Sequence, residues 1–515
     1  MRVNRRVLRT VIVLLAVFVA FVFTLPITLP RGVRVRLVAA LSERFDSEVE
    51  LRDLNVSVLP RLRVAGEGLV LRYKARTDVL PLIAIKSFSA EASLFGLLGR
   101  PLRLKRVYLD GLEINVPPGG MDIDGQEGRD AGANRSRPRE APLVVEDLLA
   151  ESARLRILRR RPGKPPRLFE IHHLSMQDTG SDVPWRFRAA LTNPTPPGRV
   201  ETEGTFGPWV TGRPSSTALQ GKYEFRDADL GVFAGIRGKL DSTGTFGGVL
   251  ERIEVDGRVE VPDFALDDVG SPVRLVAQFH SIVDGTSGNT WLQPVDAQFR
   301  DTKIRCTGGV VEEEGENGRT VSLDVVMTEG RIEDVLRLAA KTRSPPMIGG
   351  MKLRAKFVLP PGKRDVIEKM RLDGSFEILS ARFTKGSVQA KVRELSQKAR
   401  PGKEDPRERV ASNFKGRFVM RSGVINLSNV SFSVPGARVD VGGRYTMRAE
   451  SLDFRGTVRL AAKLSQMTSG VKSVLLKLVD PLFRRDNATI IPVTVQGTVD
   501  EPKVRLDIKR ALTRK

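Results

Sequence analysis

One cysteine and three histidines in 515 residues leave little material for covalent or metal chemistry. Cys306 stands alone, so no internal disulfide can form. A body placed in an oxidising compartment would have to hold together by strand pairing and apolar burial. His172 and His173 are adjacent and would point to opposite faces of a strand, and His280 lies far along the chain. None has a serine or cysteine nucleophile at recognisable spacing. The glycine-lysine pairs at Gly163, Gly221, Gly238, Gly362 and Gly402 lack the earlier glycine and the following hydroxyl of a phosphate loop. Zinc spacing, a dinucleotide fingerprint and a nucleophile elbow are also missing. Asp122 and Asp124 lack the partners of a calcium loop. The pairs Asp227/Asp229 and Asp267/Asp268 would act as glycosidase carboxylates only if the fold brought two of them to a cleft. The expectation is a protein that is not an enzyme and carries no cofactor or metal.

Acidic residues are also short, 61 against 84 lysines and arginines, for a formal charge of +23. Nucleic acid would be the first partner to consider for such a chain. The cations, however, alternate with aliphatics, as in RLRV from Arg61, LRLKRV from Leu102 and RLRIL from Arg154. That spacing puts them on the solvated face of half-buried strands, so no nucleic-acid partner is expected. A basic exterior is also drawn to anionic lipid headgroups.

There is one long hydrophobic run and no second. Arg2, Arg5, Arg6 and Arg9 precede an uncharged stretch from Thr10 to Pro30. At 1.5 Å per residue this stretch matches the hydrocarbon thickness of a bilayer. It exceeds the apolar core of a secretory signal, and its end, Thr24 to Pro30, reads TLPITLP rather than a small-residue cleavage site. Residues 1–30 are therefore read as a cytoplasmic stub and a retained transmembrane helix, with the rest exported.

Beyond it the chain reads as mainly β. Residues 31–45 have a helical rhythm with Val35, Val38, Leu41 and Phe45 on one face. From Glu48 the apolar period is two, which predicts short antiparallel strands, each apolar on one side. Residues 117–142, almost free of aliphatics, read as a disordered loop. Lys398–Arg409 and Arg160–Pro166 read as shorter ones. A loose unit recurs with glycine between apolar residues: VETEGTF from Val200, LDSTGTF from Leu240, VDGRVEV from Val255, LDGSFEI from Leu372, FKGRFVM from Phe414, VGGRYTM from Val441, FRGTVRL from Phe454 and VQGTV from Val495. Glycine inside a strand marks a bulge or bend, and repeated bends curl a sheet into a trough. Two helices are expected to cap open sheet ends, at Arg331–Lys341 and Val471–Phe483. In the second, Lys472, Lys477, Arg484 and Arg485 offer a membrane or partner contact.

These segments resemble the AsmA-like family of envelope proteins. The likeness is carried by FDSEVELRDLNVSVLPRLRVAGEGLVLR from Phe45, SLFGLLGRPLRLKRVYLDGLEINV from Ser93, VSFSVPGARVDVGGRYTM from Val430 and IPVTVQGTVDEPKVRLDI from Ile491. The resemblance implies an inner-membrane-anchored periplasmic protein of a Gram-negative envelope, related to bridge-like lipid transfer proteins with a chorein-type amino end. It divides the chain into an anchor (1–30), a chorein-like region (31–116), a loop (117–142) and an elongated β-groove (143–515). The implied fold is a long twisted antiparallel sheet folded into a U-shaped groove with a few short helices. About 25 strands at some 4.8 Å each give roughly 120 Å before twist shortens it, which is short beside the family's long bridges. The expected partners are phospholipids and the inner membrane, through residues 10–30. The expected role is shielding acyl chains on the way to the outer membrane. A second reading is a scaffold or assembly factor whose sheet edges pair with strands of outer-membrane barrel proteins. Alternation nominates Val49, Leu51, Leu102, Leu104, Ile114, Phe376, Ile378, Val458, Leu460, Val493 and Val495 as groove floor. On this reading arginine at Ile378 or Leu460 blocks lipid passage, and a transfer assay in which both variants fold, insert and deliver lipid normally removes the support for a groove.

Overall fold

A computed structural model describes residues 31–43, 47–57, 62–73, 80–93, 95–96, 99, 101–116, 143–158, 166–180, 182–210, 213–313, 318–340, 344–399, 412–434, 437–460, 484–485 and 488–506. The expectations for residues 1–30, 117–142 and 471–483 lie outside them, and so does most of the Arg160–Pro166 loop. Among the described residues no helix is long and apolar enough to cross a membrane.

The fold is mainly β. The strands are β1 (Ser47–Ser57), β2 (Arg63–Tyr73), β3 (Ile83–Ala92), β4 (Leu102–Val116), β5 (Leu143–Ile157), β6 (Arg167–Thr179), β7 (Trp185–Pro194), β8 (Pro197–Phe206) and β9 (Ala218–Asp229). There follow β10 (Ile236–Arg237), β11 (Lys239–Val249), β12 (Arg252–Leu266), β13 (Val273–Val283), β14 (Thr290–Phe299), β15 (Thr302–Glu312), β16 (Arg319–Arg331), β17 (Met347–Leu359) and β18 (Arg371–Phe383). Last come β19 (Ser412–Arg421), β20 (Val424–Val434), β21 (Ala437–Thr446), β22 (Ser451–Leu460), β23 (Arg484–Arg485), β24 (Ala488–Thr498) and β25 (Pro502–Leu506). The helices are α1 (residues 31–43), α2 (Ile332–Ala339), α3 (Val366–Lys369) and α4 (Gly386–Ala399). The chain forms two compact units. One comprises residues up to Arg226 with Thr243–Val255 and Val283–Gly288; the other comprises Asp227–Ser242, Asp256–Ile282 and the chain from Asn289 on.

In the first unit β1 to β4 form an antiparallel meander, as the alternation requires. β4 and β5 depart from the expected antiparallel order and pair in parallel, Leu102 opposite Leu143 and Ile114 opposite Leu155. Parallel neighbours need the chain to return to the same end of the sheet, which a tight turn cannot do. The 26 residues from Pro117 to Pro142 supply the necessary length. From β5 to β9 the order is antiparallel again.

A crease crosses the first five strands. In each, two successive residues face outward where strict alternation would allow one: Arg52 and Asp53, Glu67 and Gly68, Lys86 and Ser87, Asp110 and Gly111, Glu151 and Ser152. Asp53, Glu67, Ser87, Asp110 and Glu151 stand opposite one another in register, so the break is a line across the sheet. Gly68, Gly111 and Ser152 take left-handed backbone there, φ 65°, 62° and 56°. A Cβ on Gly111 would sit 2.8 Å from the Cβ of Lys86, which is why glycine is needed. The kink resets the phase of the strands and lets residues on both sides of it, Leu51 and Leu54, Ile85 and Phe88, Ala150 and Ala153, enter one core.

Helix α1 closes that core with Val33, Leu37 and Ala40, spaced four and three apart. The stripe expected from the sequence is a different one. Val35 is 70% exposed, Val38 and Leu41 are only partly buried, and Phe45 lies outside the described residues. A valine-rich amphipathic stretch offers several stripes, and packing against the sheet decides between them.

Across the parallel pair, Glu113 accepts from both terminal nitrogens of Arg156, at 2.6 and 3.1 Å, with Arg154 at 3.5 Å. The hydrogen bond from Arg156 holds its carboxyl below the usual glutamate value of 4.5, against partial burial that pushes the other way. A depressed carboxylate contributes stability that is present above its unfolded pKa and is lost as pH falls through the folded one. Urea midpoints should therefore drop as pH is taken from about 5 to 3, and Glu113→Gln should flatten part of that fall.

Candidate functional site

In the second unit β14 to β22 and then β24 pair antiparallel in sequence order. Their outward positions are exposed and carry the charges. The inward positions form register lines, one of which is Val295, Cys306, Val325, Ala355, Gly374, Phe418, Leu427, Gly443, Phe454 and Val495. It crosses ten strands without a charged side chain and spans about 43 Å at 4.8 Å per step. All but Ala355 are half-buried rather than buried. In a two-layered sheet an inward Phe or Leu is sealed by the opposite layer; here Leu323, Val325, Leu353, Phe418, Leu427 and Phe454 keep part of their surface open.

The recurrent glycines belong to this face. Gly374, Gly443 and Gly456 have no positive φ, yet a Cβ at each would run into a neighbouring carbonyl, of Arg354, Asp453 and Asp440 respectively. In the first unit Gly204 would meet Gln220 in the same way. Such close approach of backbones on the inward side is what only glycine permits. Gly416 leaves room for the Phe376 ring, 3.1 Å from its would-be Cβ. Phe376 lies 6.4 Å from Phe418, and Phe414 stacks on Phe432 at 4.8 Å.

Helices cover the ends of this face. α2, expected from the sequence, sits on Met327, Met351, Ile378 and Ala381 through Ile332. Its Asp334, 2% exposed, accepts from Arg300 Nε at 3.0 Å, the Asp301 amide at 3.2 Å and the Thr302 hydroxyl at 2.8 Å. The Thr302 hydroxyl oxygen in turn accepts from the Arg331 amide at 3.0 Å. At the carboxyl end of α2 the Ala339 carbonyl accepts from the Tyr445 hydroxyl at 3.0 Å, and burial pushes that phenol up to about 12, so it stays a donor. Helix α4 corrects the sequence expectation: the loop expected from Lys398 begins inside it. It places Val392 against Val434, Val439, Val458, Ile491 and Val493. Val388 and Val392, one turn apart, are the available signal, muted by the surrounding polar residues.

The nominated floor residues divide accordingly. Val49, Leu51, Leu102, Leu104 and Ile114 pack in the closed core under α1. Ile378 is covered by α2, and Val458 and Val493 lie under α4. Phe376, half-buried, packs against the core under α2, Val495 is half-buried on the open register line, and the side chain of Leu460 lies outside the described residues. An arginine at Ile378 would thus disturb a helix-covered core, and Leu427 or Phe418 is the better probe of the open face.

The residues weighed for chemistry are engaged locally. Asp229 is held low by Lys239, 2.9 Å away, and by the Gly231 amide; Asp267 pairs with Arg237 at 3.6 Å. His172 bonds the Thr192 hydroxyl at 2.7 Å, and His280 bonds Asp256 at 2.9 Å. Cys306 is half-buried on the inward face, its thiol pushed up by burial first and by Asp296 second. No protein-family model, curated protein or solved structure matches the chain.

Replacing Asp334 with alanine strands the Thr302 hydroxyl and the Asp301 amide and should cost about 2–3 kcal/mol. The check is hydrogen exchange, in which amides of residues 332–339 should lose protection before the strands do.

Proposed function

We propose that this chain is an anchored, periplasmic lipid-transfer protein of the AsmA-like type, which shields phospholipid acyl chains on the inward face of its sheets and supports their movement toward the outer membrane. The single observation behind this reading is the register line from Val295 to Val495, apolar along its length and left half-open rather than sealed by a second layer. Water against such a face is unfavourable, and a hydrocarbon chain laid along it gains about 0.8 kcal/mol per buried methylene. Headgroups would stay in solvent and no bond would be made or broken. The outward cations, Lys352, Arg354 and Arg417 among them, keep the opposite face in water. The anchoring rests on the uncharged run from Thr10 to Pro30 and the localisation on the family resemblance.

A photocrosslinker at Leu427, on the strip, should capture acyl chains, whereas one at its exposed outward neighbour Asn426 should not. Leu427→Arg should lower the phospholipid recovered with the purified chain several-fold. Equal capture at both positions, or capture of polypeptide alone, overturns the proposal.

A further inference from the structure

Strands β16 and β17 are antiparallel neighbours, with Arg331 opposite Gly350, so a tight turn would join them. The chain instead inserts residues 332–346 and lays α2 back over the inward face, chiefly on β17. The side chains of β17 mark its path. Near the start of the strand, Met351 and Leu353 pack with Ile332, Val335 and Leu336 of the helix. Toward its end, Phe357 and Leu359 belong with a separate core of Met370, Met420 and Met447, and Ala339, the last residue of α2, packs against that one. Between them stands Ala355, 8% exposed, the buried member of an otherwise half-open register line. The helix therefore crosses that line from one margin of the face to the other. It parts Val295, Cys306 and Val325, on β14 to β16, from Phe418, Leu427 and Phe454, on β19 to β22.

The two ends of α2 are held unequally. At its start, the Asp334 carboxylate accepts from Arg300, the Asp301 amide and the Thr302 hydroxyl, and Glu333 accepts from the Gly349 amide at 3.0 Å. At its end the hydrogen bonds are neutral, from the Ser271 amide to the Arg337 carbonyl at 2.7 Å and from the Tyr445 hydroxyl to the Ala339 carbonyl at 3.0 Å. Hydrogen bonds to an ionised group are roughly twice as strong as neutral ones. Along the helix Val335, Leu336 and Leu338 are only half-buried. The carboxyl end is thus the one to lift, with the amino end as its pivot.

We infer that α2 is a gate across the apolar line, pivoting at Asp334 and latched at Tyr445, which a phospholipid tail must displace to pass between Val325 and Phe418. The inference rests on the reading that this face carries lipid. Helix and acyl chain are alternative covers of one floor, because the seated helix sets Val335 and Leu336 where a tail would set its methylenes. A tail on that floor favours the lifted helix, and without one the seated helix keeps the floor from water.

The test uses the full chain with Cys306→Ala, reconstituted into vesicles of phosphatidylcholine and phosphatidylglycerol. Photoreactive benzoylphenylalanine replaces Val325 in one preparation and Phe418 in another, and capture of vesicle lipid is measured at each. Ala339→Cys combined with Tyr445→Cys leaves the latch open until a short bis-maleimide joins the two thiols. Joining them should lower capture several-fold at the position remote from the donor membrane and leave the other unchanged. Tyr445→Phe, which keeps the ring and loses the hydroxyl, should raise capture at that same remote position. Loss at both positions or at neither on joining overturns the gate, and so does a Tyr445→Phe chain with capture unchanged. Absence of lipid capture at both positions in the unjoined chain refutes the lipid reading, and the gate with it.

Discussion

A strand sends successive side chains to opposite faces, and in this chain strand after strand sends its aliphatic and aromatic residues to the same one. That face must be covered by something. Where the chain supplies its own cover, through α1 over Leu51 and Leu104, α2 over Ile378 and α4 over Val458, the inward residues are fully buried. Where it supplies none, as along Val325, Phe418, Leu427 and Phe454, they remain half-open. Both the covered cores and the proposed lipid face follow from this one constraint.

Strands that only alternated would keep one phase from end to end, and breaks in register change that. The crease through Gly68, Gly111 and Ser152 turns two residues outward in each of five strands, so that the core of the first unit is gathered from both sides of the line. The second unit repeats the motif where β18 slips register between Ile378 and Ala381, with Ser380 at φ 52°, and where β20 slips between Leu427 and Val430, with Asn429 at φ 51°. Inward glycines such as Gly374 and Gly456 serve another need, the close approach of backbones on the crowded side.

Charge is arranged to match. Outward arginines and lysines pair across strands in many places, Arg305 with Asp296 at 2.7 Å and Arg188 with Glu203 at 3.1 Å. Such exposed pairs contribute little to stability. Their larger effect is to keep one face in water, opposite the apolar one.

Alternation along the chain is enough to establish that the protein is mainly β, that each strand has one apolar side, and that Val49, Leu51, Phe376, Ile378, Val458 and Val493 lie on it, because a period of two fixes sidedness without reference to anything distant. A period near 3.6 likewise locates α2. Packing settles the rest: which stripe of α1 turns inward, that β4 and β5 run parallel across a long connection, and that α4 forms and lies over Val458. Packing also determines which inward residues are sealed and which stay open. Those outcomes depend on what a face meets once the chain has returned to it, and periodicity along a strand carries no information about the layer above.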